Sequence, residues 1–296
     1  MKNEQFIFND NDNNDNNGKH PTPFLFVPYY KDDNGGRPLP PSILSWNCPG
    51  ILINGVPYKG TPLQPEVEIN LTVVVRNSGR LGTACIIRVF WADPTAGFLP
   101  KTLKVINQSI LYMPATTTLE SPVMKWTPTN SMPAHSCILV EVTSPMDNSS
   151  GIINVNQDRH YAQTNINILQ GRSGEHLSFE FNVTNNSNEE NEYIISIQQL
   201  EEGALEILEK QYNAEAVDIS LDNIELRNVR PGIRRGKREE MSITLPPNSQ
   251  ELCQAIVRMP LDINTNQFIA FGIHQIYVMG EINNVVGTIG AIVFAK

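Results

Sequence analysis

The chain has few charges, few aromatic rings and no long apolar run, and each shortage removes a class of protein. Charged residues make up 18% of its 296 positions and aromatics 7%. Acidic residues outnumber basic ones, 31 against 22, for a net charge of −9. A surface of that sign does not displace counterions from phosphates, so nucleic acid is not expected as a partner. No stretch of about 20 apolar residues occurs, so no membrane-spanning helix is expected. The C-terminal run from Val285 to Ala295 is broken by Gly287, Thr288 and Gly290 and reads as a buried strand. Met1-Lys2-Asn3-Glu4-Gln5 leads to only three apolar residues, Phe6-Ile7-Phe8, which is not the pattern of a Sec signal. The expected location is the cytoplasm, or a particle released without such a signal.

Cysteine is also scarce. Cys48, Cys85, Cys137 and Cys253 form no CxxC pair, and three fall in the first half of the chain. They read as buried thiols in a reducing compartment, where cysteine packs as a small hydrophobe. A Cys85–Cys137 bridge between sheets is the alternative.

Catalytic signatures are missing as well. The chain holds no P-loop, GxGxxG, GxSxG or HExxH. His135 and Cys137 stand two apart on one strand face, but zinc needs three or four ligands and His160 stands alone. A Cys137/His160 nucleophile pair lacks a third, orienting group. The carboxylate pairs Glu189-Glu190, Glu201-Glu202 and Glu239-Glu240 lie in polar surroundings that would not raise a pKa for acid catalysis. No catalytic residue, metal or cofactor is therefore expected, and the chain is expected not to be an enzyme.

Turn formers separate short apolar runs throughout, with 21 prolines and 19 glycines, which predicts many strands and few helices. From Glu66 the period is two: Val67, Ile69, Leu71, Val73 and Val75 fall on one face, and Asn77-Ser78-Gly79 ends the run. Ala84–Trp91 follows as the next strand, then Ser109–Met113, Val123–Trp126, Ser136–Thr143 and Thr164–Leu169. The same phrase returns 108 residues later, where Leu177, Phe179, Phe181 and Val183 overlay Ile69, Leu71, Val73 and Val75, and Asn185 overlays Asn77. A looser second match sets Trp126-Thr-Pro and Cys137–Pro145 against Leu245-Pro-Pro and Leu252–Pro260. A period this long reads as a duplicated sandwich rather than a solenoid. The fold class is all-β: two tandem immunoglobulin-like β-sandwich domains with an extended N-terminal arm. The expected divisions are an arm over 1–40, a sandwich over 41–170 and a divergent second sandwich over 171–296, joined at Gln170–Gly174. Glu201–Tyr212 is predicted to be a short inserted helix, and 268–295 a hairpin.

The Trp46 lead-in, the strand ending Val75-Arg76-Asn77-Ser78-Gly79 and Val89-Phe90-Trp91-Ala92-Asp93-Pro94 mark a resemblance. Trp126-Thr127-Pro128, His135-Ser136-Cys137 and Ala162-Gln163-Thr164-Asn165 continue it. On these residues the span 45–169 resembles the bacterial CARDB-type, immunoglobulin-like domains. That resemblance implies an adhesion, accessory or assembly module.

Two segments suggest where a partner would bind. Residues 9–18 are an Asn/Asp tract that cannot offset the entropy of ordering and reads as a tether. The segment after it is studded with proline and carries Phe24, Phe26, Tyr29 and Tyr30 on an extended chain. These rings are expected to dock on a neighbouring copy or partner; packing on their own domain is the competing reading. Arg227, Arg230, Arg234, Arg235, Lys237 and Arg238 concentrate positive charge in a Pro/Gly loop, which suits either a solvated loop or an acidic partner surface. The expected function is a structural or adaptor subunit of a larger bacterial or phage-like assembly, such as a contractile-tail-like particle or filament, acting through protein contacts. The alternative is a ligand-binding or carbohydrate-binding module, with Trp46, Trp91 and Trp126 as stacking surfaces.

Overall fold

A computed structural model describes residues 20–132, 136–229, 240–279 and 282–296. The fold is all-β, with a single α-helix among the described residues. No helix there is long and apolar enough to cross a membrane.

The first part of the chain supplies β1 (Leu25–Phe26), β2 (Ile51–Ile53), β3 (Val56–Pro57), β4 (Ile69–Asn77), β5 (Thr83–Ala92), β6 (Lys104–Met113), β7 (Thr117–Glu120), β8 (Met124–Trp126), β9 (Cys137–Thr143) and β10 (Tyr161–Thr164). In one sheet β4 is central, with β7 and β8 along one edge and β1 and β2 along the other. The facing sheet runs β10-β9-β5-β6. Period-two alternation places Ile69, Leu71, Val73 and Val75 inward, against Cys85, Ile87, Val89, Ile138, Val140 and Val142. Val67, expected on that inward face, precedes the strand and is exposed.

The second part supplies β11 (Ile166–Gly171), β12 (His176–Asn185), β13 (Asn191–Gln199), α1 (Glu202–Tyr212), β14 (Glu215–Ala216), β15 (Ile224–Asn228), β16 (Glu240–Leu245), β17 (Ser249–Arg258), β18 (Gln267–Met279) and β19 (Ile282–Ala295). One sheet runs β11-β19-β18-β13-β16 and the other β12-β17-β15. Phe181, Val183, Ile195, Cys253, Ala255, Phe271 and Ile273 fill the space between them. The helix follows the spacing of Leu205, Leu208 and Tyr212 and stops at Asn213, whose left-handed backbone (φ 54°) ends it.

Pairing makes the internal repeat explicit. In the first sandwich β4 pairs with β7/β8, and β5 lies between β6 and β9. In the second, β12 pairs with β17, and β13 lies between β16 and β18. The looser second match read from the sequence is corrected by this. Cys137–Thr143 takes the place of β18, whereas Leu252 lies in β17. The insertion of α1, β14 and β15 between β13 and β16 ends the constant offset.

The arm is also corrected. Leu25 and Phe26 pair with Asn77 and Arg76 as β1, and Leu25, Val27 and Tyr29 belong to the first core. Phe26 and Tyr29 are buried, while Phe24 and Tyr30 are half-buried. Prolines 21, 23 and 28 keep this chain extended, and an extended apolar chain beside an open strand edge gains more by completing that sheet than by waiting for a neighbour. The cysteines are free and buried, so no Cys85–Cys137 bridge forms.

No flexible linker joins the sandwiches. Thr164 ends β10 and Ile166 opens β11, so the chain changes sheets at Asn165, and Gln170–Gly171 lies within a strand. The seam is interlocked. Leu44, Trp46, Ile166, Leu208, Phe268 and Ile292 form one apolar cluster across it. A Cβ at Gly290 would come within 2.3 Å of the Trp46 ring, and one at Gly287 within 1.8 Å of the Ala96 carbonyl. Glycine at these positions is what lets the sandwiches close together.

Deleting residues 1–40 should strip Leu25, Val27, Tyr29 and Leu39 from the first core and lower Tm by about 10 °C or more in a thermal melt. An unchanged Tm would return the arm to the role of a free connector.

Candidate functional site

Six charged side chains meet where the arm crosses the end of the first sandwich. Asp33, wholly buried, accepts the backbone N–H groups of Tyr29 (2.9 Å) and Gly35 (2.9 Å) and pairs with Arg37 at 3.3 Å. Asp147 accepts the Leu25 N–H at 2.6 Å and pairs with Arg159. The Arg159 guanidinium lies 3.8 Å above the Phe24 ring, which stacks on His20 at 3.7 Å. His160 sits between two carboxylates, with Nδ1 2.6 Å from Asp158 and Nε2 3.2 Å from Asp147. Of these, Phe24, Arg37, Asp158, Arg159 and His160 line a cleft of ≈ 630 Å³.

The electrostatics there favour charge retention. Burial alone would lower the His160 pKa, but its contacts with Asp147 and Asp158 outweigh burial and leave it raised. Burial alone would raise Asp158; hydrogen bonds from His160 and Ser150 instead hold its carboxyl well below the usual range. His160 Nδ1 is hydrogen-bonded to Asp158, while Nε2, 3.2 Å from Asp147, has no hydrogen-bond partner among the described residues. Asp158, held ionised, is not a proton donor for acid catalysis at neutral pH. Cys137 donates to Asn165 at the seam, and burial pushes its thiol far up. The Cys137/His160 pair considered from sequence is therefore not assembled.

The other sequence candidates scatter. Arg227 lies exposed in β15 with both forks on Glu225, at 2.8 and 3.0 Å. Arg230, Arg234, Arg235, Lys237 and Arg238 lie outside the described residues, as does His135. Trp46 is core, Trp126 packs against the first core, and Trp91 lies under Lys104 at 4.7 Å, so the three rings make no shared stacking surface.

Sequence reasoning missed a different surface. The segment 149–158 and Phe98 cover the outer face of the β10-β9-β5-β6 sheet at one side, through Ile153, Val155, Leu139 and Tyr161. At the other side the face is bare. Ile110 stands opposite Ile86, Tyr112 opposite Ala84 and Val105 opposite Phe90. Val105, Ile110 and Tyr112 are 64%, 67% and 66% exposed. A second cleft, of ≈ 330 Å³, opens beside the seam and is lined by amides and rings that include Asn154, Asn186, Asn191, Gln157 and Tyr277.

No family model and no curated protein matches the sequence. Among solved structures, the chain is similar to a family 123 glycoside hydrolase from Clostridium perfringens that hydrolyses glycolipid glycans. Identity is 10% and the TM-score 0.28, over 44% of this chain and 23% of that one. It is also similar to EndoBT-3987 from Bacteroides thetaiotamicron, at 10% identity and a TM-score of 0.30, over 44% and 28%. A third is a protein from Bacteroides ovatus described as carbohydrate binding, at 9% identity and 0.30, over 44% and 34%. The chain spans between about a quarter and a third of the length of these proteins. One of the three is a glycoside hydrolase, so the expectation that this chain is not an enzyme is withdrawn, and a likeness of this size assigns it no activity. No residue role is carried over from them.

The charge cluster makes stability pH-dependent in a defined sense. A raised His160 pKa stabilises the fold fully below about pH 6.5, its unfolded value, and that gain fades as pH rises through the folded value. Depressed Asp158 contributes above about pH 4, and its share is lost as pH falls. The stability gap between wild type and His160→Gln should therefore be larger at about pH 5 than at about pH 8, in urea unfolding at both values. A gap independent of pH would show that the ring is not charged in the fold.

Proposed function

We propose that the chain is a component of a larger protein assembly and binds its partner through the open face and edge of β6. The observation that carries this is the row of Val105, Ile110 and Tyr112, each more than 60% exposed on a ten-residue edge strand. A long edge strand with apolar side chains is a template for strand addition unless something covers it. Here the neighbouring half of the same face is covered by the chain's own 149–158 segment, and the half at β6 is not. Fully burying a residue of the size of Ile or Val contributes about 1.5–3 kcal/mol, so three such side chains form a usable centre for an interface. The resemblance of residues 45–169 to CARDB-type domains supports the same reading. The arm no longer carries it, because its rings are used inside the chain.

A second reading is ligand binding in the cleft beside the seam. It is favoured by the amide side chains there and by the half-buried Tyr277 ring, 5.8 Å from Tyr193. Amides and an aromatic face suit a polyhydroxylated ligand such as a carbohydrate.

The β6 reading is tested by a double variant, Ile110→Lys with Tyr112→Ser, compared with wild type by crosslinking in native lysate and by sedimentation of the purified protein. The expected result is loss of the wild-type partner or self-association with Tm changed by no more than about 2 °C, since both side chains are exposed. A wild-type chain that stays monomeric and gains no crosslinked partner would overturn the proposal.

A further inference from the structure

Most strand edges among the described residues are short, charged or covered, and β6 is none of these. β10 has only four residues, and β16 has six and opens on Glu240. β15 carries Glu225 and Arg227. β12 carries His176 and Glu180, and Thr95 bridges to it at Asn182. Shortness, charge and cover are the usual protections of an open edge. β6 ends its sheet and pairs with β5 alone among the described residues. Residues 105–113 include no charge, no proline and no glycine. The one irregularity, an extra residue at Ile106 where β5 passes from Val89 to Phe90, lies at the Lys104 end and leaves 107–113 regular.

The apolar surface continues round the same side of the sandwich. Asn107 donates to the Lys125 carbonyl at 3.0 Å, which holds β6 beside β8. Leu119 in β7 and Val123 just before β8 are 38% and 58% exposed. With Val105, Ile110 and Tyr112 they flank one open edge.

Charge and symmetry indicate what covers that edge. The chain carries a net charge of −9, so two copies repel over most of their surface. The border of β6 is an exception. Arg88 pairs with Glu141 at 3.0 Å and Lys125 with Glu68 at 2.8 Å, while Lys104 and Glu120 offset one another in sign. The strand is also compatible with itself. An antiparallel pair about a two-fold axis at Ile110 sets Ile110 against its counterpart and Tyr112 against Gln108 of the second copy. No like charges meet in that register, because Lys104 falls beyond the paired span. The 149–158 segment packs on the far side of the outer face, so it does not obstruct the approach.

We propose that the partner of β6 is a second copy of this chain, joined by antiparallel β6–β6 pairing so that two four-stranded sheets become one of eight. This rests on the β6 reading above and names its occupant.

The test is sedimentation equilibrium of the full chain over a concentration series, with Ile110→Lys, Ile110→Glu and an equal mixture of the two. The wild type is expected to form a dimer. Each variant alone should weaken it by at least about tenfold, because like charges then meet at the axis, and the mixture should restore it. Each variant should melt within about 2 °C of wild type, since Ile110 is exposed. A mixture that associates no better than either variant, or a dimer that neither variant weakens, would overturn the inference. A monomeric wild type that still gains a crosslinked partner in lysate, lost in both variants, would overturn the second copy and leave the β6 reading standing. A monomeric wild type with no such partner would overturn both.

Discussion

The structure turns on the burial of Asn165 where the chain passes from one sandwich to the other. Its backbone N–H donates to the Trp46 carbonyl at 2.8 Å, and its carbonyl accepts the Gly290 N–H at 2.9 Å. Its side-chain nitrogen donates to the carbonyls of Thr95 (2.7 Å) and Thr288 (2.9 Å), and its side-chain oxygen accepts from Cys137. One residue thereby ties together the arm side of the first sandwich, the loop after β5 and the final strand of the chain. A buried amide left without partners costs about 1–3 kcal/mol for each group, so those elements must sit where they do for Asn165 to be satisfied. Gly287 and Gly290 provide the clearance. Around them Ser45 meets Thr288 at 2.8 Å, Asn182 exchanges backbone bonds with Pro94 and Ala96, and Asn154 donates to Val285 at 3.1 Å. The two sandwiches are one polar-locked unit with an apolar seam, and not two beads on a linker.

That rigidity shapes both candidate binding regions. The loop that carries Thr95 and Ala96 into the second sandwich continues to Phe98, which packs over the outer face of the first. The seam therefore fixes how much of that face is covered and how much is left to β6. The arm, anchored by Tyr29 between the Ser45 carbonyl and the Gln163 N–H, carries Asp33 and Arg37 to the cleft that Arg159 and His160 close from the other side. Surface and cleft are set by the same packing, although they lie apart on the molecule.

Much of the fold was legible because it rests on local pattern. Ile69 to Val75 and Leu177 to Val183 alternate at the strand period, and the constant offset between them shows a duplication. The helix was legible from Leu205, Leu208 and Tyr212 followed by Asn213. The arm was not. Phe26 and Tyr29 have the same alternation whether they complete their own sheet or a neighbour's, and only the open edge of β4 decides. The second match failed because β17 and β18 are both apolar alternating strands, and the insertion before β16 removes the register that would tell them apart. The site was less legible still. Arg37 and Arg159, or Leu25 and Asp147, are more than a hundred residues apart, so no spacing rule joins them. Ile110 and Tyr112 read like the residues of any half-buried strand, and their exposure depends on which half of the sheet the 149–158 segment covers.

The central claim, that the buried seam makes both sandwiches a single cooperative body, is tested most directly by differential scanning calorimetry of the intact chain. The account expects one transition whose calorimetric and van't Hoff enthalpies agree. Two separable transitions, or a calorimetric enthalpy well above the van't Hoff value, would mean that the sandwiches unfold independently and would contradict it.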